Sequence, residues 1–135
     1  QVMLGLGMSA ISDSWYGFAQ NEKDLEAYYD RLEKNEIPVC KGHILNPEDL
    51  IIRRHILNLM CQFTTSWTQP ELQFTEIDQV LQQLSEMEKD GLLHISEKQI
   101  DVTDEGKKFI RNICMAFDLR LQRKMPETKI FSMTV

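Results

Sequence analysis

The sequence predicts a mainly α fold with a small β hairpin: a winged-helix-like helical domain preceded by a strand severed from a larger sheet upstream. Three observations predict it. Apolar residues recur at three- and four-residue spacing in four separate segments. A period-two alternation flanks Ser96–Gln99 late in the chain. A nearly continuous apolar run opens the chain, and no partner strand pattern follows it until Leu93.

That opening run is Val2, Met3, Leu4 and Leu6, which suits a strand buried on both faces. Gly5 and Gly7 carry no Cβ, so another backbone or a ligand can come close there. Such a strand needs neighbours, so the chain reads as starting inside something larger. Ser12–Gln20 reads as a loop holding Trp15, Tyr16 and Phe18 around Gly17. Aromatic residues on a loop cover a core more often than they line a pocket.

Asn21 caps the first helix, with Glu22 and Asp24 near its positive end. Leu25, Tyr28, Tyr29 and Leu32 give it one apolar face, and it fades near Asn35 before Pro38. Lys41–Gly42–His43 form a connector. Asn46 caps the second helix, Pro47 takes its first position, and Glu48 and Asp49 meet the dipole. Ile52, Ile56, Leu59, Met60 and Phe63 mark its buried stripe, while Arg53, Arg54 and His55 form a solvated basic face.

Thr64–Pro70 is read as a loop, after which Thr75 caps a third helix with Asp78 completing the start. Ile77, Val80, Leu81, Leu84 and Met87 form its inner face, and Gly91 stops it. Leu93, Ile95, Ile100 and Val102 alternate on either side of a polar tip, a hairpin. Thr103 caps the last helix, whose inner face is Phe109, Ile110, Ile113, Phe117 and Leu121. Arg120, Arg123 and Lys124 sit near its negative end, Pro126 closes it, and the apolar tail 130–135 docks on something.

Composition excludes several classes. At 135 residues the chain is one domain's worth, and 42% hydrophobic with 27% charged residues is an ordinary globular mix. Fifteen basic residues against 21 acidic ones leave a net charge of −6, which argues against a binder of phosphate backbones. The order helix, helix, hairpin, helix does raise a nucleic-acid reader. The helix that would enter the groove, however, carries Glu76, Asp78, Glu86, Glu88 and Asp90 against Lys89 alone, so no nucleic-acid partner is expected. No apolar stretch approaches a membrane span and no secretion signal is visible, so a cytoplasmic location without a membrane partner is expected.

Catalytic constellations are missing too. Cys40, Cys61 and Cys114 are odd in number and lack metal-ligand spacing, so reduced thiols are the default. His43, His55 and His94 are scattered over a loop, a helix and a strand. No nucleophile elbow, phosphate loop or zinc-protease motif occurs, and Gly5-x-Gly7 is too short for a dinucleotide fingerprint. No catalytic residue and no metal ligand is expected in this stretch.

Taken in order, GLGMSAIS (5–12), YGFAQN (16–21), IIRRHILNLMC (51–61), DGLLHISEKQIDVTDEGKKFIRNICMAFD (90–118) and FSMTV (131–135) resemble the C-terminal region of bacterial oxygen-independent coproporphyrinogen III oxidase. RNICMAFD (111–118) is the most specific piece, and the Arg-Arg helix ending in Met-Cys is next. A related haem-chaperone branch shares the fold, but the RNICM string and the tail favour the oxidase.

The resemblance implies a radical S-adenosylmethionine enzyme of haem biosynthesis that oxidatively decarboxylates two propionates of coproporphyrinogen III to vinyls. It implies an upstream α/β barrel with a four-iron, four-sulfur cluster on a Cys-x3-Cys-x2-Cys motif, which this stretch lacks. Residues 1–20 are then the barrel's last strand and loop, and 21–135 the helical domain. It also implies that Ser9, Ala10 and Ile11 contact a second S-adenosylmethionine, and that Trp15, Tyr16 and Phe18 lie towards the substrate. This sequence has SDSWYG where many members carry a Met- or Gly-rich run. By this reading the stretch alone binds no cofactor and is inactive. The full-length enzyme is a monomer that meets the porphyrinogen, and the exposed strand leaves the fragment able to self-associate. The competing reading is a stand-alone winged-helix module that binds a protein or nucleic acid.

Overall fold

A computed structural model describes residues 2–124. Pro126 and the tail 130–135, read above as a helix stop and a docking segment, lie outside the described residues. The chain divides into two compact units, Gln1–Leu50 and Ile51–Val135.

The first unit is built on a four-stranded antiparallel sheet in the order β1 (Val2–Met3), β2 (Ile11–Ser14), β3 (Gly17–Asn21), β4 (Val39–Ile44). This corrects the expected fold class: the chain is mixed α and β, with seven strands and five α-helices among the described residues. The opening strand has neighbours after all, because Val2 pairs with Ser14 and Met3 with Asp13. It is not buried on both faces either; Val2, Met3, Leu4 and Leu6 are all exposed. The expected loop 12–20 is the β2–β3 hairpin turning at Trp15–Tyr16, and the expected connector 41–43 lies in β4. Pairing, not residue preference, makes these strands. Ser12, Asp13 and Ser14 are poor strand formers, yet each has a cross-strand partner in β3.

Helix α1 (Leu25–Glu33) starts later than expected. Its cap is Asp24, whose carboxylate accepts the Ala27 N–H at 3.0 Å, while Asn21 ends β3. Asn35, at φ 55°, ends the helix in the left-handed region. Helix α2 (Pro47–Gln62) starts as expected: Asn46 Oδ1 accepts the Asp49 N–H at 2.8 Å and Asp49 Oδ2 accepts the Asn46 N–H at 2.8 Å.

The second unit packs helices on a three-stranded sheet in the order β5 (Thr64–Ser66), β7 (Gln99–Val102), β6 (Leu93–Ser96). The β6–β7 hairpin is where the alternation put it, but β5 falls in the stretch expected to be loop. Helix α3 (Ile77–Lys89) is preceded by Glu76 rather than capped by Thr75, and Gly91 follows it at φ +72°. The expected single last helix is three pieces: a 3-10 turn (Gly106–Phe109), α4 (Ile110–Met115) and α5 (Leu119–Lys124). Asp118 caps α5 by accepting the Leu121 N–H at 2.9 Å. The break turns Phe109 and Leu121 partly outwards, while Ile113 and Phe117 stay in the core.

That core contains Leu59, Val80, Leu84, Leu93, Ile100, Ile113 and Phe117, all fully buried. His55 lies among them rather than on a solvated face, stacked on Phe117 at 5.6 Å between ring centroids. Gly106 fits only as glycine, because an added Cβ would stand 1.8 Å from the Leu92 carbonyl oxygen.

Candidate functional site

The expected ligand-contacting residues lie in the first unit, at the root of β2. Cross-strand register sorts the side chains of β2, β3 and β4 by face. Ile11, Gln20 and Lys41 form one row and Asp13, Phe18 and His43 the next, on the same face. Ile11 is 50% exposed. With Phe18, Gln20, Lys41 and His43 it lines a concavity of about 430 Å³. A second concavity of about 470 Å³ is lined by residues that include Val2, Ser12, Ala19 and Ile44. The sheet thus brings Ile11 and Phe18 together. Trp15 and Tyr16 instead form the hairpin turn at the far end of β2, where the Tyr16 carbonyl accepts the Leu45 N–H at 2.9 Å.

Ser9 and Ala10 belong to the loop that leads into β2, and hydrogen bonds fix its shape. The Ser9 N–H donates to the Glu22 carbonyl at 2.7 Å, and the Ala10 carbonyl accepts the Asn21 N–H at 2.9 Å. Gln20 Nε2 donates to the Ser9 carbonyl at 3.2 Å. Asn21 is buried at 6% exposure and its Nδ2 donates to the carbonyls of Gly5 at 3.2 Å and Gly7 at 2.9 Å. Gly5 is pressed so closely on the chain that an added Cβ would stand 2.7 Å from the Ile11 carbonyl oxygen. Gly7, at φ +93°, supplies the left-handed turn.

Asn21, Lys41 and His43 are not among the residues that the sequence places at this site. Asn21 is disguised by its position four residues before a helix. His43 Nε2 lies 3.4 Å from Asp49 Oδ2, an arrangement that depends on the β4 register.

Two implied groups meet different surroundings. An apolar Ile11 and the Phe18 ring beside small residues suit an adenine ring or a sulfonium methyl, and the polar Gln20 edge adds hydrogen-bonding capacity, so these residues fit S-adenosylmethionine. The iron–sulfur cluster does not fit here. Among the described residues no group of three His, Cys, Asp or Glu side chains could hold a metal. Cys40 is exposed with its Sγ 3.4 Å from the carbonyls of Gln20 and Asn21, Cys61 is exposed, and Cys114 is buried. Burial pushes the Cys114 thiol up to about 11, far from thiolate chemistry. No helix of the described residues is long and apolar enough to cross a membrane.

Comparison with known proteins first gives a class. The chain is similar to a solved structure of coproporphyrinogen III oxidase from Escherichia coli, a radical SAM enzyme, with a TM-score of 0.78 and 36% identity. The match covers 90% of this chain and 29% of that one. The homologues are more particular: they are named oxygen-independent coproporphyrinogen III oxidase. The protein of Salmonella typhimurium is 42% identical over 127 residues and that of Escherichia coli K12 is 38% identical, each match covering 90% of this chain and 28% of the relative. That of Synechocystis is 36% identical over 142 residues, covering 98% of this chain and 30% of the relative. The chain therefore spans less than a third of the length of these relatives. No family model matches it.

Proposed function

We propose that this chain is the C-terminal part of an oxygen-independent coproporphyrinogen III oxidase, acting in the cytoplasm. The complete enzyme converts two propionates of coproporphyrinogen III to vinyls using S-adenosylmethionine. The observation that carries the reading is the 42% identity over 127 residues to a protein of that name, with a matching fold at a TM-score of 0.78.

Within that reading, Ser9, Ala10 and Ile11 contact a second S-adenosylmethionine, while the molecule bound at the cluster would supply the radical chemistry. The cluster belongs to a barrel upstream, so this chain alone is inactive. We assign residues 1–20 to the end of that barrel and 21–135 to the winged-helix-like domain that follows, whose first part keeps β4 paired with β3 in the sheet of the first unit. The chain's own work is mechanical. Small residues let the ligand approach, Ile11 packs on its apolar part, and the helical domain covers the radical site against water and oxygen. Phe18 shares the face of Ile11, which supports its place towards the porphyrinogen; Trp15 and Tyr16, also assigned to the substrate side, stand in the hairpin turn at the far end of β2.

The test uses the intact protein, with its cluster reconstituted without oxygen. It is supplied with reductant, S-adenosylmethionine and coproporphyrinogen III, and the porphyrins are separated after oxidation. Protoporphyrin formation is the expected result. Absence of turnover together with stoichiometric haem binding, read from a Soret band, would assign the chain to the haem-chaperone branch and overturn the proposal.

A further inference from the structure

We infer that Asn21 is a positioning residue for the segment Ser9–Ile11, setting the shape in which that segment meets S-adenosylmethionine. The inference rests on the reading that Ser9–Ile11 contacts this ligand. Asn21 stands where the β3–β4 register shifts, between Gln20 and Asn21, so the regular ladder is interrupted there. From there Nδ2 reaches both Gly5 and Gly7 carbonyls, while its own N–H holds the Ala10 carbonyl. Its neighbours Gln20 and Glu22 hold Ser9 on either side. The backbone at Gly5, Gly7, Ser9 and Ala10 is thereby moored to three consecutive residues.

Polar bonds carry this loop because apolar packing does not. Leu6 is 91% exposed, and Leu4 is exposed as well. Two residues of the loop, Gly7 at φ +93° and Ser9 at φ 60°, are held in the left-handed region, which the free chain disfavours at serine. The close contact of Gly5 with the Ile11 carbonyl then passes the loop's shape directly to Ile11. A neutral amide suits this position. It gives two N–H bonds to two carbonyls, whereas a carboxylate of the same size would set negative charge against both oxygens.

The experiment measures labelled S-adenosylmethionine bound to the intact, cluster-loaded protein by equilibrium dialysis. It compares wild type with Asn21→Asp, Gly7→Ala and Ile11→Ala, and follows cluster absorbance throughout. Wild type is expected to bind two molecules. Asn21→Asp is expected to weaken the second by about tenfold or more, the scale of one or two lost buried hydrogen bonds, with the first molecule and the cluster spectrum unchanged. Gly7→Ala has open space around the new methyl and strains only the loop backbone, so the same selective weakening is expected there. It also decides the matter if Asn21→Asp fails to fold. Wild-type affinity in both variants, with Ile11→Ala impaired, would overturn the role of Asn21 and leave the site standing. Wild-type affinity in Ile11→Ala would overturn the site and the inference together.

Discussion

The imidazole of His55 and the hydroxyl of Thr65 meet at 2.8 Å inside the core of the second unit. On the other side of the ring, Nε2 lies 2.8 Å from the Leu72 carbonyl oxygen, which can only accept. Nε2 therefore carries the proton, and Nδ1 accepts from the Thr65 hydroxyl. The ring is neutral in the folded chain. Burial lowers its pKa from 6.5, against a smaller upward pull from the Leu72 carbonyl.

Stability should accordingly fall on acidification. A lowered pKa in the folded state means that the unfolded chain binds the extra proton first. The contribution is fully present above the unfolded value of about 6.5 and is lost progressively as pH falls below it. Thermal unfolding between pH 8 and pH 5 should show a midpoint that drops below pH 6.5. In His55→Gln that part of the drop should disappear. An identical pH profile in the two proteins would contradict the assignment.

Removing the partner should cost more than removing an ordinary surface hydroxyl. Thr65→Val leaves Nδ1 buried without a donor, at a cost of about 1–3 kcal/mol. Denaturant unfolding measures it. A loss below about 0.5 kcal/mol, the level of a neutral surface change, would mean that the bond is dispensable.

Two glycines should respond to alanine for different reasons. Gly106→Ala drives a methyl against the Leu92 carbonyl and should destabilise by about 3 kcal/mol or more. Gly91→Ala meets no atom within 4 Å and suffers only from its left-handed backbone, about 1–2 kcal/mol. Unfolding midpoints in the reverse order would show the 106 contact to be soft.

The cysteines should separate by reactivity. At pH 8, Cys40 and Cys61 are exposed and should alkylate, while buried Cys114 should react only after denaturation. Intact mass after iodoacetamide, native and denatured, gives the count. Rapid native labelling of Cys114 would show that α4 opens readily.

Much of the helical part is legible in the sequence, because caps and apolar spacing are local. Asn46–Pro47 with Asp49 starts α2, and Gly91 ends α3, with no help from the rest of the chain. The hairpin at Glu97–Lys98 is equally local. The first unit is not, since the strand nature of Ser12–Ser14 and Cys40–His43 comes from pairing partners rather than from any alternation of their own. Asn21 looks like a helix cap until Asp24, three residues before Ala27, takes that role. His55 could have been placed, as it falls between Ile52 and Leu59 at helical spacing. The charged Arg53 and Arg54 beside it draw the eye outwards. The segment Ser9–Ile11 emerges only through family resemblance, because nothing in its residue types marks it.

Thr103 Oγ1 donates to the Gly91 carbonyl at 2.8 Å and accepts the Gly106 N–H at 3.1 Å, while its backbone N–H donates to the Leu92 carbonyl at 3.1 Å. The exit of α3 and the entry of the following 3-10 turn are riveted at one atom. Neither can fray without the other, so their amides should exchange with solvent as one cooperative block rather than as two independent helix ends.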